Sequence, residues 1–139
     1  MSLRAVMDTN VLYAGLRSRR GASAAVLEAL WLGKWRLLLS NTVVAEYEEV
    51  LKREAATLNL DLAEIDRLLN ALCTLAERHQ LGADWTPVLT DPDDEAFVHL
   101  AAAAQADYLV SHNVRHLEPV HRWGVKLLEP RAFLAILPA

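Results

Sequence analysis

The chain has 139 residues, 53% of them hydrophobic and 23% charged, with a formal net charge of -4 and one cysteine. This length suits one domain over residues 1–139, burying about two thirds of the surface its unfolded chain would expose, and the apolar content excludes a disordered chain. Lone Cys73 excludes an internal disulfide and a cysteine-based zinc cluster, the apolar stretch WLGKWRLLLS is too short and too charged at Lys34 and Arg36 for the roughly 18 residues of a membrane span, and the negative balance gives polyanions no general attraction without a local basic patch or a bridging cation.

The opening MSLRAVMD has neither the long apolar core nor the cleavage site of a secretory signal, so a cytoplasmic location is expected. Residues 3–7 are short and apolar and read as a strand. A helix is expected over Val11–Leu16, a loop at RSRRG (residues 17–21), and a second helix over Ala22–Leu32 that Gly33 stops. Arg36–Leu39 reads as a buried strand, and Ser40 as the N-cap of a helix reaching about Glu54. That helix carries the apolar stripe Val43, Val44, Tyr47, Val50 and Leu51. Helical spacing of Leu62, Ile65, Leu69, Leu72 and Ala76 predicts a long amphipathic helix from Asp61 to about Arg78.

Trp85–Leu89 reads as a short strand or an extended entry to the next helix, with Pro87 keeping it from the middle of a sheet. Asp91-Pro92 starts a helix that continues through FVHLAAAAQ. Strands over Asp107–Ser111 and Val125–Leu128 and a closing helix over Pro130–Leu137 complete the chain. Alternating strands and helices without a repeat predict an α/β fold of three layers, a parallel sheet covered by helices on both faces. In such sheets ligands bind beyond the carboxyl ends of the strands.

Those ends are acidic or amidic. Asp8, Thr9 and Asn10 follow the first strand, Ser40 and then Glu46 the second, DPDDE (residues 91–95) opens a later helix, and SHN (residues 111–113) follows another strand. Each has a plainer use. Asp8 or Asn10 suits an N-cap, and Glu46 and Glu48 border opposite edges of one apolar stripe where solvent suffices. Asp91 suits an N-cap, with Asp94 as its reciprocal partner, and the helix dipole favours acids at Asp93, Asp94 and Glu95. Gathered at one sheet edge, these oxygen ligands suit a hard cation such as Mg²⁺ or Mn²⁺, which polarises a phosphoryl oxygen and activates water. The five histidines show no zinc-ligand spacing. Ser111 lies in no nucleophile-elbow motif. Arg17, Arg19 and Arg20 form either an ordinary solvated loop or a holder of substrate phosphates.

MDTNV, the Ser40-to-Glu46 spacing, DPDDEAFVHLA and ADYLVSHNVRHL together, in order and over almost the whole chain, resemble the PIN-domain family, in particular its toxin-like prokaryotic ribonucleases. The resemblance implies a three-layer α/β/α sandwich and a Mg²⁺- or Mn²⁺-dependent endoribonuclease, the toxin of a toxin–antitoxin pair. It implies RNA as substrate and an antitoxin protein as partner; a homodimer is expected, and the lack of a long apolar run predicts no membrane attachment. Its acids fall on Asp8, Glu46 and Asp94 as metal ligands, with Thr9, Asn10, Asp91, Asp93 and Ser111 in support. A fourth acid is expected where Asn113 stands, with His112 in place of glycine. This departure removes a negative charge and leaves a second expectation, a catalytically weakened scaffold that binds RNA or a protein. Receiver-type and haloacid-phosphatase-type domains rank behind both, because their adjacent acidic pair and D-x-D nucleophile motif are missing. Trp31, Trp35 and Leu60 are apolar candidates for docking a partner or for packing.

Overall fold

The computed structural model describes residues 2–138. Its centre is a parallel sheet of five strands, β1 (Arg4–Met7), β2 (Arg36–Ser40), β3 (Glu77–His79), β4 (Tyr108–Val110) and β5 (Lys126–Leu128), ordered β3-β2-β1-β4-β5. The helices are α1 (Thr9–Arg17), α2 (Ala22–Trp31), α3 (Asn41–Arg53), α4 (Ala55–Leu58), α5 (Leu62–Leu75), α6 (Pro92–Ala103) and α7 (Pro130–Ile136), with a 3-10 helix over Glu118–Trp123. They flank the sheet as two groups. On one side α2 packs against α1 and α7, and on the other α3 packs against α5 and α6. The expected three-layer α/β fold is the observed one. Among the described residues no helix is long and apolar enough to cross a membrane.

Strands β1 and β2 contribute Ala5, Val6, Met7, Leu37, Leu38 and Leu39 to the core, all fully buried, as central strands covered on both faces require. Helix α1 approaches α2 so closely at Gly15 that a Cβ there would lie 2.6 Å from Leu27 Cδ1 and 2.9 Å from the Ser23 carbonyl oxygen. Only glycine allows this approach, and it fixes where the start of α2 lies against α1.

In the segment between α5 and α6 one expectation fails and one open alternative is decided for the extended entry to α6. The helix predicted to run to Arg78 ends at Leu75, Ala76 turns to extended backbone, and Glu77–His79 pairs with β2 as an edge strand. Its side chains are polar, so no apolar alternation betrayed it. Glu77 binds Arg4 and His79 and lies 3.4 Å from Arg36 Nε, which ties β3 to β1 and β2. Trp85–Leu89, in turn, is extended but joins no sheet. Glu95 of α6 holds it instead, accepting from Trp85 Nε1 at 2.8 Å, from the Val88 amide at 2.8 Å and from the Leu89 amide at 2.9 Å.

Trp35 is buried, donates its indole N–H to the Val26 carbonyl at 2.9 Å and packs edge-on against Phe133. Leu60 packs on the core, whereas Trp31 is 46% exposed. Of the three apolar candidates for docking, the fold leaves Trp31 free.

Candidate active site

The sheet order reverses direction at β1: the chain adds β2 and β3 on one side, then β4 and β5 on the other. The crevice at the carboxyl ends of β1 and β4 is therefore the topological switch point, where open α/β sheets bind ligands. Met7 pairs with Val110, and the next residues of the two strands, Asp8 and Ser111, meet. The Asp8 amide donates to the Val110 carbonyl at 2.9 Å, and Ser111 Oγ donates to Asp8 Oδ2 at 2.7 Å. Both residues are buried.

Asp8 is the N-cap of α1, its Oδ1 accepting from the Asn10 amide at 3.3 Å, so α1 begins at Thr9, two residues before the helix expected from the sequence. The residue that caps α1 is also the one that follows β1 at the switch point. Burial pushes the Asp8 carboxyl above its ordinary range, and the hydrogen bond from Ser111 opposes this without cancelling it. Beneath it the fully buried Tyr47 of α3 donates its hydroxyl proton to the Met7 carbonyl. Burial and then the charge of Asp8 hold that phenol well above its usual value, so it stays a neutral donor.

The charge of Asp8 acts in turn on the other acids. Asp94 is raised to about 6, first by burial and then by the charge of Asp8, with smaller contributions from Asp91 and Asp93. Glu46 is raised by burial and then by Asp93, with Asp8 adding to it. The structure thus sets Asp8, Glu46 and Asp94 in one electronegative field, with Asp93 acting chiefly on Glu46. It does not draw them into a closed ligand set: among the described residues no three His, Cys, Asp or Glu side chains form a group that could hold an ion. Asp91 caps α6 by accepting from the Asp93 amide at 2.9 Å, and that bond takes the place of the expected reciprocal pair with Asp94.

The SHN segment is attached at both ends. Asn10 Oδ1 accepts from the His112 amide at 3.3 Å, and Ser111 Oγ accepts from the Asn113 amide at 2.9 Å. Asn113 itself is exposed. His112 Nε2 lies 2.9 Å from Ser23 Oγ at the start of α2, which brings the end of the RSRRG loop to the edge of the site. Arg17, Arg19 and Arg20 are all exposed. The Ser23–His112 contact went unseen in the sequence, because nothing in the spacing of two residues 89 positions apart links them. Thr9 Oγ1 is buried and has no hydrogen-bond partner among the described residues. Thr9 and Asn10 line a small cavity of about 240 Å³ with Tyr13, Val50 and Glu54.

Asp8, Glu46, Asp94, Asn10 and Ser111 offer carboxylate, amide and hydroxyl oxygens at this edge, the donor chemistry of Mg²⁺ or Mn²⁺. Partly buried carboxylates that repel one another are also the condition that a divalent cation relieves. Asp8, Glu46 and Asp94 therefore fit such an ion in chemistry and in charge.

Comparison with known proteins bears on the fold and the family. Among solved structures the fold is similar to VapBC2 from Rickettsia felis, solved bound to a DNA fragment from the promoter, at 14% identity and a TM-score of 0.63 over 91% of this chain and 98% of that one. It is similar to DNA-bound VapBC from Salmonella typhimurium at 15% identity and a TM-score of 0.63, covering 92% of this chain and 98% of the other. VapBC-1 from nontypeable Haemophilus influenzae matches at 16% identity and a TM-score of 0.64, over 93% and 99% of the two chains. At these identities the likeness is one of fold. No curated protein matches the sequence significantly. Residues 4–115 match the family model described as PIN domain, a span that contains every acid of the site. The chain belongs to the PIN-domain family.

Proposed function

We propose that this chain, acting as one domain in the cytoplasm, is a divalent-cation-dependent endoribonuclease and the toxin of a toxin–antitoxin pair. The observation that carries the reading is Asp8, a desolvated carboxylate at the switch point of a PIN-domain sheet, whose charge raises both Asp94 and Glu46. The antitoxin partner follows from the fold shared with the VapBC proteins and from the motif resemblance. The homodimer remains an expectation.

In this reading Asp8, Glu46 and Asp94 hold Mg²⁺ or Mn²⁺, which when bound supplies Lewis-acid polarisation of the phosphate and makes water more acidic. Ser111 and the Asn10 amide fix the Asp8 carboxylate so that one orientation faces the ligand side. Asn113 offers a neutral amide oxygen beside it, and Asp91 and Asp93 add negative potential that favours a cation. RNA reaches this edge through local cations, with Arg17 at the end of α1 and Arg19 and Arg20 on the loop after it as one source.

Asp8→Asn tests the reading. Cleavage of single-stranded RNA with Mn²⁺ should fall by about 100-fold or more, since a metal ligand contributes several kcal/mol to the transition state. The unfolding temperature in metal-free buffer should equal or exceed that of the wild type, because a buried charge has gone. Equal cleavage by both proteins removes Asp8 from the mechanism. Asn113 favours a second reading, a weakened scaffold that binds RNA or a protein partner. A wild type that binds RNA and leaves it intact at every Mn²⁺ concentration belongs to that class.

A further inference from the structure

An open cleft of about 670 Å³ lies between the 88–90 segment and the 3-10 helix. Arg115, His116, His121 and Arg122 line it, with Thr90 on the facing wall; Glu118 is its one lining carboxylate. Neither arginine joins an ion pair among the described residues, whereas Arg4, Arg36, Lys52 and Arg53 are each engaged with a glutamate or aspartate. Both are exposed. Buried Leu117 and Val120 anchor the same segment in the core, so the cations project from a fixed base.

The cleft begins where the acidic site stops. Thr90 directly precedes Asp91, the N-cap of the helix that carries Asp94. His116 donates its amide to the Asn113 carbonyl at 3.2 Å. A polyanion engaged at Asp8 and Asp94 therefore meets Arg115 and Arg122 next. In a chain of net charge -4, such a patch supplies the local attraction that the overall charge withholds.

We propose that this cleft is the binding track for the phosphates of the RNA strand on the Asp94 side of the cleavage site, with Arg115 and Arg122 as its phosphate contacts. The proposal rests on the ribonuclease reading above. Single-stranded RNA suits it better than a duplex, because an open groove at the border of a buried site admits one backbone and leaves its bases free.

The test measures binding of a short, fluorescein-labelled single-stranded RNA by anisotropy in divalent-free buffer over a series of KCl concentrations, and cleavage of the same RNA with Mn²⁺. Compared are the wild type, R115A/R122A, R115K/R122K, and R67A/R131A as a control for total charge. R115A/R122A should bind about tenfold more weakly at low salt. Its log–log salt slope should be shallower by about 1.4, the loss of two phosphate contacts on a single strand at roughly 0.7 each. Its KM for cleavage should rise about tenfold with kcat within about twofold, and R115K/R122K should restore the slope while R67A/R131A leaves it unchanged. RNA that is cleaved by R115A/R122A with unchanged KM and salt slope overturns the proposal and leaves the ribonuclease reading standing. A wild type that neither binds nor cleaves the RNA overturns that reading, and the proposal with it.

Discussion

Asn113 stands where the family pattern expects an acid, and its backbone N–H donates to Ser111 Oγ, the hydroxyl that donates to Asp8. An amide oxygen ligates a hard cation without bringing a charge, so the site holds one negative charge fewer than four acids would give it. Asn113→Asp should tighten Mn²⁺ binding by up to about tenfold in calorimetric titration and lower the Mn²⁺ concentration needed for half-maximal cleavage. Unchanged affinity places Asn113 away from the ion. At this scale the sequence was informative because a carboxylate ending an apolar strand is costly unless something engages it. Asp8 could be read from that, Asn10 and Ser111 from their places after strand ends and from the family pattern, and the structure joins all three. Asp93 was the less legible acid: its influence on Glu46 comes from α6 lying against α3, a tertiary fact that no local spacing encodes.

Among the elements, the long helix starts were read best, since Ser40, Asp61 and Asp91 each accept from an amide of the first turn. Their caps lie within a few residues of what they cap. The segment between α5 and α6 was read poorly for the opposite reason. β3 has no apolar alternation to mark it, and its pairing depends on β2 and on Glu77. The 3-10 helix over Glu118–Trp123 was likewise unseen, because six residues are too few to show a period. Glu95 looked like one more dipole acid of α6, yet its carboxylate receives three hydrogen bonds from residues 85–89. Glu95→Gln keeps one acceptor oxygen and turns an amide N–H₂ toward a donor. It should lower stability in urea unfolding by about 1–3 kcal/mol and change the emission of Trp85, which stacks on His99 and packs at a tilt against Trp123. A change below about 0.5 kcal/mol would show that these bonds add little beyond solvation.

For the whole molecule, the sheet rather than the helices carries the main electrostatic tie. Glu77 on the edge strand binds Arg4 of the central strand and His79, and the guanidinium of Arg4 holds its carboxyl down to about 2. A carboxylate lowered in the folded state stabilises the fold fully above its unfolded value near 4.5 and progressively less as pH falls toward 2. Glu77→Gln should therefore cost about 1–2 kcal/mol near pH 7, after discount for solvent screening, and the gap to wild type should close between about pH 5 and pH 2. Urea denaturation of both proteins across that range checks it; a gap that stays constant with pH assigns the loss to packing. The order β3-β2-β1-β4-β5 carries one more consequence, for the time at which the site comes into being. A ribosome makes Asp8 early, but Ser111 arrives 103 positions later, after three further strands and six helices have been made. Until β4 docks, β1 offers an open edge and Asp8 lacks its partner. Since pairings of such long sequence separation form slowly, competence for chemistry should be among the last properties a newly synthesised chain acquires.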